Sequence, residues 1–376
     1  GCPNGGIFSV TFIVGTYSSG EKVITVTGFT NNLIDTSIFE IKPNNIILNP
    51  ASGILNTVVT VTGNGYTPGE VVTIDFGTSP TITTAIANTS GIFLATFIVN
   101  TQAYGSRMVT ATGETSASPD TKPFNMLPVI NEVIPPSGPV GTVVTIRGEG
   151  FWESPVSAVS IDFGTDNGFL PVSVDTNING SYIGSFTVTT QSYGTKVITL
   201  RMWKSVPEPI LATSIFVITS RIFLVNPATA TVHTTVTIEG TGFKDETIYI
   251  SFGKTQTIAT VQASANGTFS TTFKVDTQDY GFHVITAKNS TLATSTFFII
   301  PDIISLNPNS GKVGEVVTLI GRGYKGSETL HITFGTHITI TTTTASPDGT
   351  FSTTFVVSTQ VAQTRVITAY GIESCA

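Results

Sequence analysis

One phrase recurs four times along the chain, and this repetition constrains the fold more than any other feature. The copies share an alternation of apolar residues with Thr, followed by two glycines and an aromatic residue: NTVVTVTGNGY (56–66), GTVVTIRGEGF (141–151), HTTVTIEGTGF (233–243) and GEVVTLIGRGY (314–324). A Phe-Gly pair follows each copy, and successive pairs lie 87, 89 and 82 residues apart. A period of this length corresponds to a small domain, so the sequence predicts a tandem array of domains.

Apolar residues alternate within each copy in the way that a half-buried β-strand requires. In the first copy Val59 and Val61 flank Thr60, and the next segment places Ile74 and Phe76 two residues apart. Side chains of a strand point to opposite faces in turn, so this period of two indicates strands with one buried face. No stretch shows convincing helical periodicity. Each unit contains about seven such segments, which predicts an immunoglobulin-like sandwich.

Turn residues separate the predicted strands. Three dipeptides favour type I′ hairpins, in which both central residues have positive φ: Asn179-Gly180, Asn266-Gly267 and Asp348-Gly349. A proline precedes each unit and would end strand pairing there: Pro50, Pro136, Pro227 and Pro308. These signals predict a partial unit (1–41), repeat 1 (42–126), repeat 2 (127–219, with longer loops), repeat 3 (220–299) and repeat 4 (300–376).

The run PPSGPVGTVVTIRGEGF in repeat 2 resembles the signature of the IPT/TIG immunoglobulin-like domains. Repeats 1 and 4 carry close versions, NPASGILNTVVTVTGNGY and NPNSGKVGEVVTLIGRGY, whereas repeat 3 lacks the Ser-Gly pair. The resemblance implies an all-β, elongated array of immunoglobulin-like sandwiches, most similar to the long surface proteins of microbes. The family includes receptors, dimerisation modules, adhesins and enzyme appendages, so the fold does not decide the function.

The composition suits a protein that works outside the cell. Only 11% of residues are charged, and Thr alone outnumbers them, so hydroxyl groups must wet most of the surface. The net charge of -7 contains no block of like charges, and 17 Lys and Arg residues form no basic stripe, which argues against nucleic acid as a partner. No apolar run is long enough to predict a membrane span. The absent initiator Met implies a processed or excerpted chain.

Several segments resemble motifs for catalysis, cofactor binding or metal binding, but a structural role explains each of them better. The segment GRGYKG (321–326) has nucleotide-binding spacing but precedes a predicted strand instead of a helix. His331 and His337 are close, yet His331 falls on the outward face of its strand, where we expect a solvated side chain. Asp75 and Asp162 precede Phe-Gly pairs without counterparts in repeats 3 and 4, so a repeated calcium site is not expected. The acidic residues differ between copies, and the sequence predicts no enzyme, no cofactor and no metal.

Some residues remain candidates for modification or binding. The sequons place glycosylation candidates at Asn88, Asn179, Asn266 and Asn289, a number that chance alone would give in a sequence so rich in hydroxyl residues. Trp152 and Trp203 occur only in repeat 2. An exposed Trp there could contact a sugar or a neighbouring protein, and the alternative is packing in a core or between domains.

Both ends of the chain resemble incomplete copies of a unit. The first 41 residues supply only the last three strands, IFSVTFIV, KVITVTG and TSIFEI, and repeat 4 stops before the closing strand that TSIFVI and TSTFFII provide in repeats 2 and 3. Either the chain is an excerpt from a longer array, or subunits join head to tail and complete each other's sandwiches. Simple donation of one strand does not balance, because three strands are offered where one is absent.

Two cysteines lie near opposite ends of the chain, at Cys2 and Cys375. Four units in a row would hold them much farther apart than a disulfide allows. They are therefore candidates for an inter-subunit disulfide in an oxidising exterior, with two free thiols at frayed ends as the alternative.

Together these observations predict a non-enzymatic extracellular structural protein. Its repeats would assemble head to tail, by strand complementation between copies of the chain, into a filament, sheath or surface layer. The alternative is an adhesin stalk or carbohydrate-binding array on a microbial cell surface, with the longer loops of repeat 2 contacting cell-surface glycans. A third, weaker possibility is a set of accessory domains of a secreted glycan-degrading enzyme.

Overall fold

The computed structural model describes residues 7–152, 159–170, 175–202 and 210–374. These residues form β-strands and no helix, as the sequence predicts, and so include no helix that could cross a membrane. The partial unit contains β1 (Gly20–Thr27) and β2 (Ile34–Ile41). Repeat 1 contains β3 (Asn44–Asn49), β4 (Ser52–Gly53), β5 (Val58–Asn64), β6 (Val71–Phe76), β7 (Ser79–Ile86), β8 (Phe93–Ile98), β9 (Gly105–Gly113) and β10 (Asp120–Met126).

The later repeats follow the same order. Repeat 2 contains β11 (Val129–Ile134), β12 (Ser137–Gly138), β13 (Val143–Glu149), β14 (Val159–Phe163), β15 (Asp166–Leu170), β16 (Asp175–Thr176), β17 (Tyr182–Thr187), β18 (Gly194–Met202) and β19 (Ile210–Ile218). Repeat 3 contains β20 (Arg221–Asn226), β21 (Thr229–Ala230), β22 (Thr235–Thr241), β23 (Thr247–Phe252), β24 (Thr255–Gln262), β25 (Phe269–Lys274), β26 (Gly281–Lys288) and β27 (Leu292–Ile299). Repeat 4 contains β28 (Asp302–Asn307), β29 (Val316–Arg322), β30 (Thr329–Phe334), β31 (His337–Thr344), β32 (Phe351–Val356) and β33 (Ile367–Gly371).

Two sheets face each other in each of repeats 1 to 3. In repeat 1 the smaller sheet has the order β3-β5-β8 and the larger sheet the order β4-β10-β9-β6-β7. Repeat 3 repeats this topology, and repeat 2 differs by an added edge strand, β16, on the smaller sheet. In each of repeats 1 to 3 the last strand pairs antiparallel with the strand before it and parallel with the two-residue strand near the start of the repeat. The larger sheet therefore brings together residues from the beginning and the end of a repeat.

A separate apolar core fills each sandwich. Along β5, Val59 and Val61 are fully buried, whereas the intervening Thr60 is only half-buried, as the period of two predicts. In repeats 1 to 3, the Phe of the Phe-Gly pair meets the Phe of the last strand nearly edge-on. The ring centroids lie 5.5, 5.9 and 5.7 Å apart in the pairs Phe76–Phe124, Phe163–Phe216 and Phe252–Phe297. The last strand thus contributes a central aromatic residue to each closed core.

The partial unit forms two of its three predicted strands. β1 and β2 pair as an antiparallel hairpin, but the predicted strand at residues 7–14 is wrong, because these residues form no strand. The counterpart in repeat 1 is β8, which pairs with β5 in the smaller sheet. The partial unit has no counterpart of β5, so residues 7–14 lack the neighbour whose backbone groups would pair with theirs.

The hairpin turns differ from the predicted type I′. Gly180, Gly267 and Gly349 have φ of 80, 82 and 79°, but φ of the preceding Asn179, Asn266 and Asp348 is not positive. In repeat 2 the turn spans four residues, since the amide of Gly180 donates to the carbonyl of Asn177 at 2.9 Å. The Asn177 side chain accepts hydrogen bonds from the amides of Asn179 and Ser181. This is a longer turn of type I character with glycine in its left-handed position.

Candidate functional site

The larger sheet of repeat 4 has an open edge at β33. This sheet has the order β31-β30-β33, two strands fewer than its counterparts. The missing strands are those that correspond to β27 and β21 of repeat 3. Residues Ser310–Gly311, which align with β21, form no strand. β33 starts only at Ile367, whereas β26 starts four residues before the aligned Ile285. Both segments are irregular at the place where the closing strand would lie.

A groove of about 360 Å³, lined by apolar residues and by polar ones such as Arg365, lies along this open edge. Its apolar lining includes Leu306, Val317, Phe334, Phe355 and Ile367. Phe334 is only half-buried, although the aligned residues Phe76, Phe163 and Phe252 are fully buried. Val313 is 58% exposed, whereas the aligned Val232 of repeat 3 is 1% exposed. The groove is therefore the unfilled half of a core that the other repeats complete.

The hairpin of the partial unit has exposed residues at positions that are buried in the other repeats. Phe39 on β2 is 40% exposed, although the aligned residues Phe124, Phe216 and Phe297 are fully buried. On β1, Val26 is 39% exposed, and the aligned Ala111 and Ala287 are fully buried. The hairpin keeps the register of its counterparts, because Ile24 lies opposite Ser37 as Ile285 lies opposite Ser295. It therefore presents the core face of a closing strand without the opposing sheet.

Adjacent repeats meet through one repeated contact. The loop TQxYG of each of repeats 1 to 3 lies against the hairpin turn of the next repeat. The backbone amide of its Tyr donates to a carbonyl of the next repeat: Tyr104 to Phe151 at 2.9 Å, Tyr193 to Phe243 at 3.2 Å and Tyr280 to Tyr324 at 2.9 Å. Trp152 lies at the first of these junctions, with its ring centroid 4.3 Å from that of Tyr104. Trp152 therefore packs between repeats, which was the alternative to a ligand contact.

A buried Gln in the same loop was missed by the sequence analysis. The Nε2 of Gln278 donates to the carbonyl of Phe252 at 3.0 Å, and its Oε1 accepts from the amide of Lys254 at 3.1 Å. Equivalent pairs of hydrogen bonds are made by Gln102, Gln191 and Gln360. Each Gln thus fastens the turn that contains the Phe-Gly pair. The repeated TQ dipeptide was the signal in the sequence. Its role could be assigned only once the structure showed that the Gln lies within hydrogen-bonding distance of the turn.

One acidic position does recur, contrary to the expectation that acidic residues differ between copies. Glu70, Glu246 and Glu328 align, and each accepts hydrogen bonds from amides of a neighbouring loop. Burial would raise the pKa of Glu70, but bonds from the amides of Ser116, Thr67 and Thr115 outweigh it and hold that pKa below its ordinary value of 4.5. Each position provides a single carboxylate that binds backbone groups, so its role is to fix loops.

The sequon residues lie in different environments. Asn88, Asn179 and Asn266 are exposed in hairpin turns, where a side chain is accessible for modification. Asn289 is half-buried, and its Nδ2 donates to the carbonyl of Lys244 at 3.1 Å. Glycosylation stays a prediction at all four. Cys2, Cys375 and Trp203 lie outside the described residues.

The histidines do not form a ligand cluster. His331 is half-buried instead of solvated, because its ring stacks on that of Tyr370 with centroids 5.4 Å apart. His337 is exposed. Within the part of the chain that the structure describes, no group of three or more His, Cys, Asp or Glu residues could hold a metal ion.

The fold and its contacts define a tandem immunoglobulin-like repeat protein. Residues 43–126 match the macroglobulin-like domain, and residues 128–202 match the IPT/TIG domain. The predicted resemblance is therefore confirmed, and the chain carries a macroglobulin-like domain and an IPT/TIG domain in tandem. The IPT/TIG match falls on repeat 2, where the sequence run was quoted. A search of curated proteins found no match.

Several solved structures are similar over most of this chain. The N-terminal eight Ig domains of Down syndrome cell adhesion molecule are 13% identical with a TM-score of 0.19, covering 95% of this chain, which spans only 51% of that one. The BSP domain of a biofilm-associated protein is 9% identical with a TM-score of 0.18, covering 98% of this chain and 96% of that one. A Ca²⁺-stabilised, ice-binding adhesin of an Antarctic bacterium is 12% identical with a TM-score of 0.16, covering 88% and 97%. Similarity at this level carries no functional information.

Proposed function

We propose that this chain is a non-enzymatic extracellular structural protein that assembles head to tail with copies of itself. The product would be a filament, sheath or surface layer, joined by strand complementation between subunits. One observation carries the proposal. Repeat 4 has an open groove at the place where three other repeats hold a closing strand, and the partial unit holds a copy of that strand without a core to bury it.

The energetics favour closing such a groove. An unpaired strand edge beside apolar residues is a template for another strand. Phe39 and Ile41 align with residues that are fully buried in repeats 1 to 3. Both are already partly buried in the hairpin, so burial of their remaining exposed surface contributes about 1 kcal/mol or less each. Backbone hydrogen bonds between the donated strand and the edge of the groove would fix the direction and register of that strand. Assembly through one groove and one strand gives an open-ended chain of subunits, because the two surfaces differ.

The composition and repeated junctions support an extracellular structural role. A surface wetted by hydroxyl groups and few charges suits the exterior, where Cys2 of one subunit and Cys375 of the next would form a disulfide across the same joint. The same backbone hydrogen bond recurs at three successive junctions, which supports a regular fibre of repeats.

Negative-stain microscopy of the 376-residue chain over a range of concentrations tests this function. We expect fibres or lattices with a regular subunit repeat, and a mass that rises with concentration in light scattering. A monodisperse rod that binds glycans would contradict the proposal and favour the adhesin or carbohydrate-binding alternative. Non-reducing electrophoresis tests the disulfide separately, since a single monomer band from native material would reject the covalent link alone.

A further inference from the structure

We infer that β2 is the only strand that is donated, that it separates from β1 to enter the groove, and that Phe39 fills the space beside Phe334. This inference rests on the proposed head-to-tail assembly and specifies its joint. It also resolves the predicted imbalance between three offered strands and one missing strand, because residues 7–14 form no strand and β1 is left out of the joint.

The sequence of β2 matches the strands that fill this space in the other repeats. Its segment TSIFEI aligns with TSIFVI in β19 and TSTFFI in β27. Phe39 takes the position of Phe216 and Phe297, each of which packs edge-on against the Phe of its Phe-Gly pair. In repeat 4 that partner is Phe334, which contacts Phe355 on one side and faces the groove on the other.

The register of the joint follows from the existing pairs. Ile24 of β1 and Ile367 of β33 align, and β1 already holds Ser37 of β2 opposite Ile24. A donated β2 would place Ser37 opposite Ile367. On its other edge, Gly311 would take Ile41 as a parallel partner, as Ala230 takes Ile299 in repeat 3. Both irregular segments of repeat 4 would then regain partners.

β1 must leave because it duplicates β33. Both strands occupy the same edge of β2 in the topology of the repeat, so they exclude each other. The exchange replaces one antiparallel pairing with another of the same register, so that few backbone hydrogen bonds are lost. The gain is the burial of Phe39 and Ile41, together with the extension of β33 towards the residues before Ile367.

The hairpin could instead dock intact, with the free edge of β2 pairing with β33. In an antiparallel pairing, this requires β2 to be turned over about its own axis. Rotation of an antiparallel strand about its own axis exchanges its two edges and also its two faces. Ile38 and Glu40 would then face the groove, and Phe39 would face the solvent. That arrangement would place the Glu40 carboxylate in the groove near Arg365 and would leave Phe39 and Ile41 in solvent. The exchange instead buries two apolar side chains and keeps Glu40 hydrated, so the exchange is favoured.

Two matched substitutions in the full chain distinguish these arrangements. Phe39 and Ile38 are adjacent, are 40% and 64% exposed, and lie on opposite faces of β2. We expect Phe39→Ala to weaken self-association at least about 100-fold, because the substitution removes a side chain that fills a core. Ile38→Ala should leave association within about twofold of the unsubstituted chain, since surface substitutions have small effects. Sedimentation velocity measures both.

The outcomes separate the joint from the function. If the unsubstituted chain forms no polymer, the proposed function fails and this joint fails with it. If the chain polymerises and Ile38→Ala causes the larger loss, the hairpin docks intact and the strand exchange is wrong. If both substitutions weaken association equally, neither face of β2 is specifically buried in the joint. The inference is then overturned, while the proposed assembly stands.

An engineered disulfide tests the register directly. Thr36 and Thr368 would lie opposite each other in the joint, as Thr294 and Thr286 do in repeat 3. In a chain with Cys2→Ser and Cys375→Ser, the pair Thr36→Cys and Thr368→Cys should give a ladder of covalent oligomers under oxidation. Each single substitution should give no band larger than a dimer. Polymers that form without this ladder would overturn the register.

Discussion

A Gln side chain, buried in repeats 1 to 3 and half-buried in repeat 4, holds one turn in every repeat. The Gly of each Phe-Gly pair has positive φ, and a Cβ there would lie 2.0 to 2.5 Å from the Gln Oε1. This close approach explains why glycine follows Phe in all four copies: no larger residue would leave space for the amide. The carbonyl of the Phe is thereby satisfied inside the sandwich, at the position from which the ring enters the core.

At this residue scale we predict that Gln278→Leu destabilises repeat 3 by about 2 kcal/mol. The substitution leaves the carbonyl of Phe252 and the amide of Lys254 without their partners, while the side-chain volume is nearly kept. Hydrogen exchange of β23 at increasing denaturant measures the loss. Gln262→Leu in the same repeat is the control, because Gln262 is exposed and should change stability by less than about 0.5 kcal/mol. Equal effects of the two substitutions would contradict the role of Gln278.

At the scale of elements, the hairpin turns form the contacts between neighbouring repeats. A Cβ on Gly180, Gly267 or Gly349 would lie 2.6 to 2.8 Å from a Cα of the preceding repeat. These glycines therefore let two backbones approach at each junction, in addition to providing the left-handed conformation of the turn. Repeat 4 has VAQ (361–363) where the preceding repeats have a residue followed by Tyr-Gly, so its loop lacks the junction residues.

We predict that Gly267→Ala loosens the junction between repeats 2 and 3 and leaves both folded. The added Cβ would meet the Cα of Ser192 in repeat 2 and the carbonyl oxygen of Phe243 in its own repeat, each at 2.6 Å. The turn must therefore shift within repeat 3, and the two repeats must also move apart. Small-angle scattering should show a broader distribution of interatomic distances. Gly281→Ala is the matched control, because Gly281 also has positive φ but has nothing within 4 Å of its Cβ position. Identical scattering curves for the two variants would show that the contact does not set the junction.

Stability is unequally distributed over the whole molecule. Repeats 1 to 3 each have a five-stranded larger sheet, whereas repeat 4 has a three-stranded one in which Phe334, on the central strand β30, is only half-buried. Fewer strands and an open core lower the free energy needed for local opening. A ligand that binds only the folded form would reverse this, and in the proposed assembly that ligand is a second copy of the chain.

At this scale we predict that exchange protection of repeat 4 depends on protein concentration. In dilute solution the amides of β30 and β33 should exchange at least about tenfold faster than those of β23 and β26. Protection of β30 and β33 should rise as the concentration increases, because the donated strand closes their sheet. β23 and β26 in the same sample provide the reference. Concentration-independent exchange of β33 would contradict a groove that is filled by another copy.

The sequence by itself determined the repeats, their all-β class and most of their strands. Alternation such as Val59-Thr60-Val61 is a local property, and four aligned copies repeat it. The incomplete units at 1–41 and in repeat 4 were also visible from alignment with the complete ones. The role of the recurring Glu70 position and the role of the TQ dipeptide were not visible, because each role depends on groups that are near in space and distant in sequence.

Only the tertiary structure decided which segments with a strand pattern become strands and which apolar faces stay exposed. Residues 7–14 carry the same alternation as β8 but form no strand, because a strand needs a neighbour for its backbone groups. Trp152 could not be assigned to a surface or a junction until Tyr104 was seen beside it. The groove beside Phe334 likewise depends on the absence of a partner strand in the described sheet, since the burial of a side chain depends on its neighbours as well as on its own chemistry.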